Sequence, residues 1–98
     1  MEHRRYVILL DQIKGVKTTE SHIRDHVQYL KELEDKGHLV LCGPFIDYKG
    51  GMVIINANSL DEAKEIAHSD PFVKSGVRSC EIRSWQLSSK ENNHMGMG

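Results

Sequence analysis

Among the residues of this chain that could carry acid-base chemistry, His26 and Asp70 have the most suggestive settings. At about 100° per residue, His26 falls between Leu30 and Leu33 on the apolar side of a predicted helix, so its imidazole points inward. An imidazole in such a place needs a partner, and a neighbouring carboxylate can orient one ring nitrogen and keep the ring ready for proton transfer.

The Asp70-Pro71-Phe72 motif has two interpretations. Proline fixes the loop, so it can aim the Asp70 carboxylate at an interior group. Asp before Pro is also a common way to start a turn, with Phe72 closing the end of the core. His26 can likewise be a core histidine bound to backbone. The residues alone therefore leave open a functional and a purely structural role for His26 and for Asp70.

Metal and cofactor chemistry find little support in the sequence. His22 and His26 are four residues apart, a spacing that can place two imidazoles on one metal. No third ligand stands at a recognised offset, and the chain has neither a glycine-rich phosphate loop nor a Ser-His-Asp arrangement. We expect no metal and no cofactor.

Two cysteines and two arginines complete the set of candidate residues. Cys42 and Cys80 lie within apolar segments, so we expect buried, unpaired thiols that act as small hydrophobic side chains. Arg78 and Arg83 are candidate partners for a substrate carboxylate. Strand parity does not decide which of them faces a site.

The elements that position these residues are predicted from hydrophobic periodicity and from the residues that start and stop helices and strands. A first helix is capped by Thr18 or Thr19 and stops before Gly37. A second begins at the Ser-x-x-Glu sequence of Ser59, which is typical of a capping box. The predicted strands are 4–10, 38–42, 52–57 and 77–87, and the helices run to about residues 36 and 68, with a short helical turn after Asp70.

This order of elements predicts the α+β ferredoxin-like βαββαβ fold, in which a four-stranded antiparallel sheet carries two helices on one face. The usual strand order, 4-1-3-2, places Cys42 and Cys80 on opposite edges, too far apart to pair within a chain. The third and last strands are apolar on both faces. We therefore expect the bare face of the sheet to pack against a second subunit, giving a homodimer through sheet faces.

Length and composition limit the remaining possibilities. The chain has 98 residues, 39% of them hydrophobic, and a formal net charge of -1. We expect one domain over residues 1–87 and a disordered polar tail over 88–98. Near-neutral charge argues against nucleic acid as a partner. The apolar runs are far shorter than the ~18 residues of a membrane span, so we expect no membrane partner and a cytoplasmic location.

Several short motifs together resemble the YciI family of small proteins, over about residues 6–87. They are His26-Val27-Gln28-Tyr29-Leu30, Gly37, Gly43-Pro44, Asp70-Pro71-Phe72 with Gly76, and Glu81-Ile82-Arg83-Ser84-Trp85. The resemblance implies a ferredoxin-like fold that dimerises as an α/β barrel, and a proposed His and Asp active site that corresponds to His26 and Asp70. A relative in that family acts as a muconolactone dehalogenase. Ser84 departs from the family pattern, which commonly has proline there.

Two functional hypotheses follow. In the first, the protein is a small cofactor-free enzyme in which His26 is the general acid or base and Asp70 orients it. Its reaction would be of lyase, isomerase or dehalogenase type on a small organic acid or lactone. In the second, it is a non-catalytic dimer that binds a small metabolite or serves a stress-related accessory role. The candidate substrate-binding residues are Tyr29, Gly43, Pro44 and Phe72.

Overall fold

The computed structural model describes residues 4–96, and its elements follow the predicted order. Residues 1–3 of the predicted domain lie outside that range. The bounds are β1 Arg4–Gln12, α1 Glu20–Asp35, β2 Leu39–Pro44, β3 Gly50–Ala57, α2 Leu60–Ser69, α3 Pro71–Lys74 and β4 Arg78–Trp85. The predicted helical turn after Asp70 is α3.

The four strands form one antiparallel sheet in the order β2-β3-β1-β4, which is the predicted 4-1-3-2 order counted from the other edge. The α+β ferredoxin-like fold is therefore confirmed. The connection between β2 and β3 is shorter than expected, because Gly50 and Gly51 already belong to β3. A Cβ at Gly50 would come within 2.6 Å of the Leu10 carbonyl oxygen, so this close strand contact requires glycine.

Capping contacts explain where α1 begins and ends and where α2 begins. The Thr19 hydroxyl accepts a hydrogen bond from the His22 N–H, and His22 Nδ1 accepts one from the Thr19 N–H. Gly37, at φ 79°, ends the first helix in the left-handed conformation that glycine adopts easily. Ser59 accepts from the Glu62 N–H, whereas the Glu62 carboxylate accepts from Asn58. His22 thus serves as a helix cap.

The core lies between the sheet and the helices. It is made of side chains that alternate along the central strands, together with the inner faces of α1 and α2. Tyr6 and Ile55, directly opposite each other on β1 and β3, are its largest fully buried members. Leu33 is the buried residue of α1, while Ile23 and Val27 stay exposed. The apolar stripe of α1 is therefore wider than the face that it buries.

The open face of the sheet differs from the prediction at β4. Its outward side chains there are Ser79, Glu81, Arg83 and Trp85, which are mostly polar, so the interpretation of β4 as apolar on both faces is wrong. The reason is that Val77 belongs to the core before the strand begins and Leu87 follows it. Apolar side chains do occupy the middle of this face. This apolar sheet patch consists of Val7, Leu9, Leu41, Met52 and Ile54.

Both cysteines are free, but the expectation that they are buried is wrong for Cys42, which is exposed, and only partly met by Cys80. Cys42 lies on the edge strand β2, where the register shifts between Leu39 and Leu41. Cys80 packs at the side of the core. Burial raises the pKa of its thiol, and the nearby Asp70 carboxylate raises it further.

The polar tail forms a short 3-10 segment, Lys90–Gly96, within the part of the chain that the structure describes. Its contacts are local: the Asn92 amide donates to the Leu87 carbonyl and accepts from the Ser89 N–H. Asn93, His94 and Met95 all have positive φ, which side-chain-bearing residues disfavour. Such a segment has little to hold it in place. Residues 97 and 98 of the predicted tail lie outside the described residues, and its disorder stays a prediction.

Removing residues 89–98 is expected to change the free energy of unfolding by no more than about 0.5 kcal/mol, the range of ordinary surface changes. Residues 90–95 are exposed, so they bury little apolar area. Urea unfolding of the full-length and shortened chains measures the difference. A loss of several kcal/mol would mean that the tail is docked on the domain.

Candidate functional site

The fold brings His26 and Asp70 together, although they are 44 residues apart in the chain. His26 lies in the second turn of α1, and Asp70 occupies the junction between α2 and α3. His26 Nδ1 is 2.9 Å from Asp70 Oδ1. The side chains are only 14% and 6% exposed, so this contact is largely shielded from water.

The sequence around Asp70 fixes the direction of its carboxylate. Asp70 is extended, with ψ 128°, and caps α3, whose first residue is Pro71. The same Oδ1 that faces His26 also accepts a hydrogen bond of 2.9 Å from the Phe72 N–H. Proline at the first helical position is pre-organised for this geometry. The carboxylate is thus held on both sides before any ligand arrives.

The two nitrogens of the His26 ring have different environments. A carboxylate can only accept, so Nδ1 is the nitrogen that carries the proton in the neutral ring. Nε2 has no hydrogen-bond partner among residues 4–96. No buried side-chain nitrogen or oxygen of those residues lacks a partner, so Nε2 is reached by solvent. The ring therefore presents one fixed nitrogen and one open, basic nitrogen.

Phe72 forms a wall of this site. Its ring stacks on the imidazole with centroids 3.9 Å apart and planes 8° apart. The side chain is buried. Phe72 closes the end of the core, as one interpretation of the sequence expected. Its ring also shapes the surroundings of His26.

Tyr29 lies next to His26 and Asp70, but its hydroxyl already makes a hydrogen bond within the protein. Its hydroxyl donates to the Ile66 carbonyl at 2.7 Å, which ties α1 to α2. Burial raises the pKa of the phenol, and the Asp70 carboxylate raises it further. The phenol stays neutral around pH 7, and its O–H proton is already in the hydrogen bond to Ile66. A ligand could therefore only donate a hydrogen bond to the Tyr29 oxygen. Its role in substrate binding stays a prediction.

Gly43 and Pro44 lie at the end of β2, on the opposite edge of the sheet from β4. Three strand spacings, about 14 Å, separate the two edges. Neither residue is joined by a hydrogen bond to His26 or Asp70. The fold does not bring them to the pair within one chain, and their part in ligand binding also stays a prediction.

The structure distinguishes the two arginines that the sequence left equivalent. Arg83 lies on the open face and pairs with Glu81 at 2.8 Å. Arg78 has the parity of Cys80 and Ile82, which pack on the core, and its guanidinium lies 5.0 Å from the centre of the Phe72 ring. The alternation of these two apolar residues was the signal that could have assigned Arg78 to the helix side.

Two shallow depressions lie on the surface of the described residues, one on the exposed face of α1 around Val27 and the other around Trp85 and Arg5. Neither is lined by His26 or Asp70.

Sequence comparison identifies the family. Residues 4–86 match the YCII-related domain. The chain belongs to this family. It is 38% identical over 82 residues to the uncharacterized protein YjpA of Bacillus subtilis (strain 168), an alignment that covers 84% of this chain and 96% of that protein. The resemblance inferred from the sequence motifs is thus confirmed.

Solved structures share the fold of this chain. The 5-chloro-2-hydroxyhydroquinone dehydrochlorinase (TftG) of Burkholderia phenoliruptrix AC1100, in complex with 2,5-dihydroxybenzoquinone, has a TM-score of 0.65. It is 24% identical, covering 84% of this chain and 93% of that chain. The P2 domain of the chemotaxis kinase CheA, solved with CheY from Thermotoga maritima, has a TM-score of 0.55 at 14% identity, over 86% and 100%. Both likenesses concern the fold.

No helix in the described residues is long and apolar enough to span a membrane.

Proposed function

We propose that this YCII-family protein is a small cofactor-free enzyme in which His26 moves a proton and Asp70 orients it. The observation that carries the proposal is the asymmetry of the imidazole: Nδ1 is bound to a buried carboxylate, whereas Nε2 is open to solvent. A purely structural histidine would be satisfied at both nitrogens. An oriented imidazole with one free nitrogen is the arrangement that general acid-base catalysis needs.

The proposed step is a proton transfer that requires no redox partner. Nε2 takes a proton from an acidic O–H or C–H next to a carbonyl, and the electron pair left behind forms a new π bond. In isomerisation the proton returns elsewhere on the substrate. In elimination a leaving group such as chloride departs with its bonding pair, so the substrate loses HCl overall. The Asp70 carboxylate stabilises the imidazolium that forms.

The dehydrochlorinase with the same fold suggests a first substrate to test. We propose 5-chloro-2-hydroxyhydroquinone: in its keto form, protonated at the chlorine-bearing carbon, transfer of an O–H proton to Nε2 shifts the ring double bond and expels chloride, which leaves a hydroxyquinone. The experiment measures chloride release and the accompanying change in absorbance with purified protein. Release above the uncatalysed rate that disappears in the His26→Asn variant supports the enzyme. If neither this substrate nor a panel of halogenated lactones and organic acids reacts, the catalytic proposal loses its ground.

We further propose that the working form is a homodimer through the open face of the sheet. The apolar sheet patch supports this, because Leu41 is 67% exposed and a monomer would leave that area in water. Glu81 and Arg83 form an ion pair on the same face, at the β4 edge, as expected for the polar rim of an interface.

The second candidate is the non-catalytic dimer that binds a small metabolite or serves a stress-related accessory role. One observation favours it: the His26 ring is largely buried, stacked on the buried Phe72 ring and bonded to Asp70, so the contact can serve packing alone. In that case the His26–Asp70 contact would hold α1 against α3. The two candidates are separated by the response of stability to His26→Asn, taken up in the Discussion.

A further inference from the structure

We propose that Arg78 binds the anionic oxygen group of the substrate, so that the substrates of this site are small organic anions. The inference rests on the proposed function and adds the substrate class. A small substrate gains much of its orientation and affinity from a few precisely placed polar contacts. Arg78 is the cation placed to supply them.

The position of Arg78 relates it directly to the pair. The guanidinium carbon lies 5.0 Å from the centre of the Phe72 ring, and that ring is stacked on the imidazole at 3.9 Å. The guanidinium is therefore no farther than about 9 Å from the His26 ring centre. This span suits a small ring or short-chain acid whose charged oxygen and reacting atom are separated by a few bonds.

The hydrogen bonds of Arg78 leave three of its five N–H donors free. Nη1 donates to Thr18 Oγ1 and to the Val77 carbonyl, which uses both of its N–H bonds. Nε and Nη2 have no acceptor among residues 4–96. Since no buried side-chain nitrogen there lacks a partner, these N–H groups are reached by solvent. Nε and Nη2 form the planar fork that binds a carboxylate or a delocalised enolate through two parallel hydrogen bonds.

The charge of Arg78 is also uncompensated within the described residues. Their ion pairs involve Arg24, Arg83 and His26, and none includes Arg78. Asp70, the nearby carboxylate, is taken by His26 and the Phe72 N–H. Arg78 is half-buried, and one side of its guanidinium is held by Thr18 and the Val77 carbonyl. The other side, Nε and Nη2, can therefore bind an anion. Arg83, in contrast, is neutralised by Glu81.

The test uses benzoate as the probe and benzamide as its uncharged counterpart. In ¹⁵N NMR titrations, benzoate is expected to shift the Arg78 Nε–H signal saturably, whereas benzamide leaves it unchanged. Arg78→Gln should weaken benzoate binding at least about tenfold. Arg78→Lys, which keeps the charge but lacks the fork, should weaken it less. Arg83→Gln is the matched control and should bind as the wild type does.

The proposal is overturned if the Arg78 signal shows no saturable shift, or if folded Arg78→Gln and Arg83→Gln bind benzoate equally well. Failure of the enzyme proposal has a different signature. Benzoate binding would then still depend on Arg78 and persist in His26→Asn, while no turnover is found. If only the Arg78 inference is wrong, turnover persists in Arg78→Gln with unchanged KM.

Discussion

Replacing His26 with asparagine is expected to lower turnover by about 10²- to 10⁴-fold, the usual contribution of a positioned general acid or base. The fold should survive, because the asparagine amide can keep part of the hydrogen bonding to Asp70 with a smaller side chain. The comparison uses chloride release as the activity and urea unfolding as the stability. His68→Asn, at an exposed position on α2, is the matched control and should leave both unchanged.

Asp70→Asn tests the second member of the pair in the same assays. The amide oxygen can still accept from the Phe72 N–H, so the cap of α3 is kept. Because the Phe72 N–H and His26 Nδ1 both contact Oδ1, an amide oxygen in that place keeps the ring orientation but removes the negative charge that stabilises the imidazolium. Turnover should fall to a level similar to that of His26→Asn. Asp25→Asn, on the exposed side of α1, is the control.

The structural alternative predicts the reverse pattern. If the pair only holds α1 against α3, His26→Asn should cost on the order of 1 to 3 kcal/mol of unfolding free energy through an unsatisfied buried group. Catalytic turnover would be absent in every variant. Such a loss of stability, with no activity to lose, would contradict the enzyme proposal.

The second large effect concerns the dimer. Leu41→Asp is expected to raise the dimer dissociation constant at least about 100-fold, which corresponds to about 3 kcal/mol. A buried leucine contributes about 1.5 to 3 kcal/mol, and an aspartate in its place would bring an unpaired charge into the interface. A symmetric dimer contains the change twice. Because Leu41 is largely exposed in one chain, the monomer fold should not suffer.

Light scattering over a range of concentrations measures this effect, with Ile23→Asp as the control. Ile23 is 48% exposed on α1, away from the open face of the sheet, so the control should remain a dimer. Trp85, on the same face as Leu41, supplies a second signal, since its emission should shift to the red when the dimer dissociates. A wild-type chain that is monomeric at micromolar concentration would rule out the proposed interface.

The predicted fold agrees with the structure because its signals are local and strong. Thr19, Ser59 and Gly37 mark helix ends by chemistry that the sequence displays directly. The strand order then follows from the order of elements. The inward direction of His26 also follows from helical periodicity. Its meeting with Asp70 could be proposed only through the family resemblance, because a contact across 44 residues leaves no local signal.

Other features depend on tertiary detail that periodicity does not contain. The register shift near Leu41 and the edge position of β2 expose Cys42, although its neighbours in sequence are apolar. Val77 has the parity expected of a strand residue but packs in the core before β4 begins. The different roles of Arg78 and Arg83 depend on where that strand starts, which sequence patterns locate only to within a few residues.

The central claim is that Asp70 holds the His26 proton on Nδ1 and leaves Nε2 as the reacting atom. The most direct measurement is ¹⁵N NMR of the His26 ring in the wild type and in Asp70→Ala, which removes the acceptor at Nδ1, at a pH where the ring is neutral. The proposed mechanism predicts a protonated Nδ1 and a bare Nε2 in the wild type, and a shift of the proton toward Nε2 in the variant. A wild-type ring with its proton on Nε2, or the same proton position in both proteins, would contradict it.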